Sequence, residues 1–229
     1  MIRLLATLLA LFAAGAAVAQ DRPEGYPARS VRMIYPSTPG GQGDLASRFI
    51  APVVVENRPG ANGAIALEAL MRSDPDGLTM AYVPGGFGVT NPALQTSLPF
   101  DVLRDFRPVL RTGIAPQCLF VRSGLQARNL QEFVELARRN PGRLTYASFG
   151  IGSTSHLQME LLKNLTNTDL LHVPFRGSMP AMQELVAGRV DAFIIDITPA
   201  RPFMESGQIR CLALTGTERW SEFPDFPTF

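Results

Sequence analysis

Residues 144–173 read LTYASFGIGSTSHLQMELLKNLTNTDLLHV. A short apolar run, Leu144–Ala147, gives way to glycines and hydroxyls at Ser148-Phe149-Gly150-Ile151-Gly152-Ser153-Thr154-Ser155-His156. A helical pattern follows, with Leu157, Leu161 and Leu165 on one stripe and Ser153 or Thr154 as N-cap. A second apolar run closes the unit at Leu170–Val173. Strand, helix and strand joined by short connections make a βαβ unit with a right-handed crossover.

The same alternation extends in both directions. Further strands are predicted at Val31–Tyr35, Val53–Glu56, Thr79–Val83, Cys118–Val121, Val190–Ile195 and Ile209–Leu214. Most are apolar throughout, which suits strands covered on both faces, as in a parallel sheet. Asn129 caps a helix with Glu132 at N3, and its apolar face is Leu130, Phe133, Val134 and Ala137. Pro141-Gly142 stops it. Another helix runs from about Met179 to Ala187, capped by Ser178 and ended by Gly188. Two more follow Gly43, carrying Leu45, Phe49 and Ile50, and span Ala64–Arg72. Pro99 to Pro108 is charged and proline-bounded, and is the candidate domain boundary.

The 229 residues include 21 Lys+Arg and 20 Asp+Glu, a balance that excludes a basic nucleic-acid footprint. Lys163 is the single lysine, which argues against lysine chemistry. Residues 1–19 read as a secretory signal peptide: Arg3, the apolar run Leu4–Ala14, then Ala17-Val18-Ala19 before the cut. That run is too short to span a bilayer. Export implies an oxidising compartment. Cys118 and Cys211 each sit in an apolar run, so two buried thiols are favoured over a bridge, which sequence alone leaves open. His156 and His172 are the only histidines, and no cluster has metal-ligand spacing.

Two strand-to-helix junctions carry the functional signal. Tyr35-Pro36-Ser37-Thr38-Pro39-Gly40-Gly41-Gln42-Gly43-Asp44 and Ser148–His156 both combine glycine, which admits a ligand close to the backbone, with a helix start. Unpaired N–H groups and a partial positive charge there bind carboxylate or phosphate without a basic side chain. Pro174-Phe175-Arg176-Gly177-Ser178 is a third, weaker junction. Any one of them alone is equally a capped tight turn. Two on opposite sides of a boundary suggest lobes facing a cleft. Asp196, at a strand's C-terminal end, either faces that cleft and accepts from a ligand hydroxyl or ammonium, or caps the turn before Pro199.

Catalytic readings are weaker. Ser153 or Ser155 with His156 invites a serine hydrolase, but no Gly-x-Ser-x-Gly elbow is present, and sequence neighbours rarely make the Ser–His geometry. Neither a P-loop nor a complete dinucleotide fingerprint exists, so no cofactor is implied.

Ordered stretches through the chain resemble the Bug (TctC-like) receptors of tripartite tricarboxylate transporters. They are YPARSVRMIYPSTPGGQGDLASR from Tyr26, PVVVENRPGANGAIALEAL from Pro52, DPDGLTMAYV from Asp74 and NPALQTSLPFDVLRDFRPV from Asn91. Later come LTYASFGIGSTSHLQMELL from Leu144, HVPFRGSMPAMQELVAGRVDAFIID from His172, IRCLALTGTERW from Ile209 and FPDFPTF from Phe223. The resemblance implies an α/β fold of the type II periplasmic-binding-protein kind, two lobes of mostly parallel sheet flanked by helices. It implies a monomer that binds a small carboxylate without catalysis and docks to membrane permease subunits. By motif match, the ligand-binding residues are Ser37, Thr38, Pro39, Gly40 and Gly41, then Ser148, Gly152, Ser153, Thr154 and His156, with Asp196 at a cleft-facing strand end.

The resemblance divides the chain into the signal peptide at 1–19, lobe I at 20–107, lobe II at 108–219 and the start of a return to lobe I at 220–229. Two departures stand out. The helix after Asp44 is short, with 17 residues between Tyr35 and Val53. The return to lobe I is expected to be incomplete, and a truncated, non-binding remnant of such a receptor is therefore the alternative function.

Overall fold

A computed structural model describes residues 25–50, 53–88 and 98–229. The expected signal peptide at 1–19 lies outside these residues. So do Ala51-Pro52 and the whole NPALQTS stretch.

All eight predicted strands form. In the first lobe they are β1 (Val31–Tyr35), β2 (Val53–Asn57) and β3 (Thr79–Ala81), parallel in the order β2-β1-β3. The second lobe holds β4 (Gln117–Arg122), β5 (Thr145–Ser148), β6 (Leu171–Pro174), β7 (Ala192–Asp196) and β8 (Ile209–Leu214), in the order β6-β5-β7-β4-β8. Four strands of this sheet run one way. β4 runs antiparallel to both its neighbours, a direction that an apolar run does not encode. The helices are α1 (Gln42–Phe49), α2 (Ala64–Met71), α3 (Val102–Asp105), α4 (Leu130–Arg139), α5 (Thr154–Thr166), α6 (Ser178–Val186) and α7 (Ile197–Glu205). The proline-bounded segment at 99–108 contains α3, capped by Asp101, whose carboxylate accepts from the Leu103 and Arg104 amides.

The second lobe explains why its strands read as unbroken apolar runs. Phe120, Phe193 and Ile195 face one side with Ala181, Met182 and Leu185 of α6 and Ile197 and Ala200 of α7. Leu119, Val121, Tyr146 and Ile194 face the other, with Phe133 and Ala137 of α4 and Met159 and Leu162 of α5. Alternate residues thus enter different cores, and both are buried. Each fully buried large side chain contributes about 1.5–3 kcal/mol. Trp220, Phe223 and Phe226 pack on the first of these cores, and Thr228 bridges to Leu214 beside β8.

Cys118 and Cys211 form a disulfide between β4 and β8, with Cα atoms 5.9 Å apart. The two-thiol expectation is therefore corrected: β4 and β8 are distant in sequence but adjacent in the sheet.

Three helix readings also change. Ser178 is the first residue of α6 and Gly177 takes the cap position, with no side-chain cap. On α5 the leucine stripe turns outward, leaving Leu161 and Leu165 exposed, while Ser155, Met159 and Leu162 face in. On α1 the apolar residues also face out, and Phe49 is 92% exposed. Its buried residues are Gly43, Asp44 and Ser47. Among the described residues the first-lobe core is smaller: Ala64, Leu67 and Phe100 cluster with Leu98, Val102 and Phe106 beside them, and Met33, Ile34, Ala66 and Phe87 are buried as well.

Candidate functional site

The first-lobe junction is built on Asp44. This side chain sits in the first turn of α1 and is almost wholly buried. Its carboxylate accepts from the Gly40 amide at 3.0 Å, from Arg48 Nε at 3.0 Å and from Asn57 Nδ2 at 2.8 Å. The same Asn57 nitrogen donates to the Ser37 carbonyl at 3.2 Å. Burial alone would raise the Asp44 pKa, but the bonds from Arg48, Gly40 and Asn57 outweigh it and hold the carboxyl below its ordinary value. The turn through Ser37, Thr38, Pro39, Gly40 and Gly41 is thereby fixed from inside. Gly40 supplies the positive φ it requires, +83°.

Tyr35, at the end of β1, is buried and meets Tyr82 edge-on at 6.2 Å. Its hydroxyl accepts from the Gly43 amide. Burial first, and the nearby Asp196 second, push its pKa well up, so it stays a hydrogen-bond donor.

The second-lobe junction is a closed polar network. Ser148, fully buried, places Oγ 2.7 Å from His172 Nε2 and 3.2 Å from the Gly150 carbonyl. Ser153 caps α5, donates to the Gly150 carbonyl at 2.6 Å and lies 3.1 Å from Ser155 Oγ. His156 Nδ1 accepts from the Gly152 amide at 3.1 Å, which assigns its proton to Nε2. The rings of His156 and His172 stack at 4.2 Å, and Tyr146 stacks on His172 at 4.8 Å. Tyr146 OH donates to Glu160 at 2.5 Å, which also pairs with Lys163 at 2.7 Å. Burial lowers both histidine pKa values. His172, with His156 beside it as the second cause, falls to about 4. The serine–histidine pairs proposed for hydrolysis do not form: Ser153 and Ser155 bond backbone and each other. The pair that does form, Ser148–His172, has a hydroxyl with no exposed surface for a substrate to reach.

Among the described residues the lobes meet at several places: Thr112 Oγ1 donates to Tyr82 OH at 3.0 Å, and the rings of Phe87 and Phe149 lie 6.4 Å apart. Asn62 Nδ2 of the first lobe donates to the Gly152 carbonyl of the second at 3.2 Å, and Gly86 lies against Thr154. Elsewhere the Gly40-Gly41 turn abuts the start of α6. A Cβ at Gly41 would stand 2.8 Å from Ser178 Oγ and 3.3 Å from Tyr35 OH; one at Gly40 would stand 3.2 Å from Met179 Cγ. Thr38 packs on Gly177 so closely that a Cβ there would lie 2.3 Å from Thr38 Oγ1, a buried oxygen with no hydrogen-bond partner.

α1 and α6 therefore present N-termini to one another from opposite lobes, each with a glycine cap and no side-chain bond. α7 begins at Asp196, close enough to act on Tyr35, and Asp196 makes no capping bond. Its carboxyl instead accepts from Gln117, its register partner on β4. Burial pushes its pKa up to about 6, against the lowering effect of that bond.

The structure thus gathers Thr38, Gly40 and Gly41 at one junction with Tyr35, Ser178 and Met179, and Asp196 acts on it through its charge, which raises the Tyr35 pKa. Gly152 and Thr154 join a second contact with Asn62 and Gly86. The Ser148 and Ser153 hydroxyls and the His156 Nδ1 are committed within their own loop. Tyr35, Asp44, Asn57, Asn62 and His172 belong to the site's framework; the sequence marked Tyr35 and Asp44 only as the ends of the first junction and did not mark the other three as site residues. The Asp44–Arg48 spacing of four was the framework's one further readable signal. Among the described residues, no group of His, Cys, Asp and Glu could hold a metal, and no helix is long and apolar enough to cross a membrane.

The TctC family model, described as "Tripartite tricarboxylate transporter family receptor", matches residues 41–229. The protein BugT of Bordetella pertussis is 33% identical over all of this chain and 73% of its own length. The chain spans 64% of the length of another curated relative, from Pseudomonas sp. strain P51. Rpa4515 of R. palustris, solved with adipate, superposes with a TM-score of 0.85 at 32% identity, covering 89% of this chain and 71% of that one. MatC from Rhodopseudomonas palustris, solved with bound malate, gives 0.82 at 31% identity, with 89% and 72% covered.

Proposed function

The chain belongs to the TctC family of tripartite tricarboxylate transporter receptors, and from that premise we propose that it captures a small organic carboxylate between its two lobes. The carrying observation is the meeting of the α1 and α6 N-termini, both uncapped by side chains, across the lobe junction. Each brings roughly half a positive charge and orphan N–H groups. Two such ends facing one another repel, and an anion beside them turns that repulsion into attraction. Tyr35 OH, Ser178 Oγ and the unpartnered Thr38 Oγ1 add neutral donors there.

A carboxylate held this way binds without turnover. Binding draws the lobes together, and the closed form is the one that docks to membrane permease subunits. The receptor works as a monomer in the periplasm, reached through the leader at 1–19.

A thermal melt of the purified chain with a panel of mono-, di- and tricarboxylates tests this. At about 100 times its dissociation constant, a true ligand adds about 2.7 kcal/mol. A cooperative melt that no acid moves would sink the proposal, as would ester turnover abolished by His156→Ala.

A further inference from the structure

One residue of the second-lobe turn is held from both lobes. Gly152 is buried and has a φ of +77°. On one side its amide donates to His156 Nδ1 at 3.1 Å. On the other its carbonyl accepts from Asn62 Nδ2 of the first lobe at 3.2 Å. Both bonds meet at one glycine Cα, so a rotation of the backbone there disturbs the pair together.

Each partner is unusual in its own way. Asn62 and the residue before it, Ala61, have φ values of +48° and +45°, and Gly60 and Gly63 on either side are positive as well. Two successive side-chain-bearing residues in that region are disfavoured, and such strain persists where surrounding contacts over-determine it. The bond to Gly152 is a contact of that kind, and it crosses between the lobes. The other partner is titratable. Nδ1 accepts only while it carries no proton, whereas an imidazolium would turn a donor towards the Gly152 N–H.

The groups that face His156 are Glu160 and Lys163 from α5 itself, Tyr146 from β5 and His172 from β6. Glu160 already accepts from Lys163 and from Tyr146 OH. His172, stacked at 4.2 Å, disfavours a second charge beside it. From the first lobe, Asn62, Gly86 and Phe87 border the turn, and none of them ionises. Burial accordingly holds the His156 pKa below its ordinary value, against the opposing pull of Glu160. The accepting ring is therefore complete above about pH 6.5 and is lost as pH falls through the lower, folded value.

We propose that His156 and Asn62 are positioning residues that grip Gly152 from opposite lobes, and that proton uptake by His156 frees the first-lobe loop at residues 60–63. Low pH thus loosens the contact between the lobes. Its effect on the hold over a captured carboxylate rests on the capture reading, while the grip itself is read with no ligand present.

Nuclear magnetic resonance of the ligand-free, isotope-labelled chain between pH 7.5 and 4.5 tests this. The chain has two histidines, and His172→Asn tells their ring signals apart. The Gly152 amide and the Asn62 carboxamide should shift with the His156 midpoint. Amide exchange at 60–63, corrected for its intrinsic pH dependence, should rise tenfold or more through that midpoint, and should still do so in His172→Asn. His156→Asn sets a carboxamide oxygen near the place of Nδ1, an acceptor that does not titrate, so the rise should vanish. His156→Phe should show the acid-side exchange already at pH 7.5. Asn62→Gly, which suits the left-handed backbone, should raise exchange at 60–63 at every pH while the Gly152 amide still follows His156. A rise that survives His156→Asn, no rise in the parent through the His156 midpoint, or a His156 ring that takes up no proton by pH 4.5 would overturn the proposal. Should a variant fail to fold, the parent titration alone decides. A cooperative melt that no carboxylate shifts would sink the capture reading and leave these ligand-free outcomes standing.

Discussion

The two lobes solve the same problem by different means. On the proposed reading, each must hold a glycine-rich turn still enough to meet a ligand. The second lobe does so with a sheet buried on both faces, a disulfide and a stacked pair of histidines under the turn. The first has three short strands and a small apolar core, and its turn hangs on the bonds of one buried carboxylate. Apolar burial is non-directional and tolerant, whereas a polar clamp is local and fails as a unit. The contrast teaches that a precise loop does not need a large core beneath it, but that it becomes fragile without one.

The largest break should come from the second lobe's covalent tie. The Cys118–Cys211 link closes 93 residues of sequence. Chain-entropy arguments put its loss at about 4–5 kcal/mol. The double variant Cys118→Ala/Cys211→Ala should melt correspondingly lower, and reductant should reproduce the drop in the parent but not in the variant. If the parent's melt ignores reductant, the second lobe owes its solidity to packing alone.

Next comes the polar clamp. Asp44→Ala strips partners from the Gly40 amide and Asn57, a loss of about 2–3 kcal/mol. Hydrogen exchange should then rise across residues 37–44 while β4, β5 and β7 stay protected. Uniform exchange across both lobes would erase the distinction drawn above.

A smaller effect separates the lobes by pH. His172 titrates near 4 in the fold, below its ordinary value, so the unfolded chain takes up the proton first. Stability from this group is complete above about pH 6.5 and falls away as pH drops from there towards 4, by roughly 2 kcal/mol after allowance for partial exposure. Asp196, raised to about 6, works oppositely: protonation below that value relieves its burial. Melts of Asp196→Asn between pH 7 and 4.5 should therefore fall more steeply than the parent, and adding His172→Asn should flatten them. The smallest effect is predicted for Phe49→Gln, within about 0.5 kcal/mol, because Phe49 is almost wholly exposed on α1.

Sequence carried the fold further than the site. The eight strands were legible because two-sided burial writes an uninterrupted apolar run, and Asn129 with Glu132 marked the start of α4 by chemistry that acts within four residues. Legibility stopped where partners are remote. The His172–Ser148 bond, the Asn62–Gly152 contact and the disulfide all depend on strand order rather than spacing. α7 was hidden by Pro199 and Pro202, which read as breakers although the first occupies the opening turn, where a proline removes no helical bond. The leucines of α5 and the phenylalanine of α1 misled in the other direction, since periodicity marks a stripe without saying which way it faces.

The contact between Thr38 and Gly177 has a consequence for timing. Gly177 has a φ of 170°, extended backbone that any residue adopts, so glycine is there for space and not for conformation. A single methyl at that position would wedge the jaws ajar without straining either one. On the proposed capture reading, Gly177→Ala would shorten the dwell of a bound acid through a single carbon atom placed beside Thr38 Oγ1 and the start of α6.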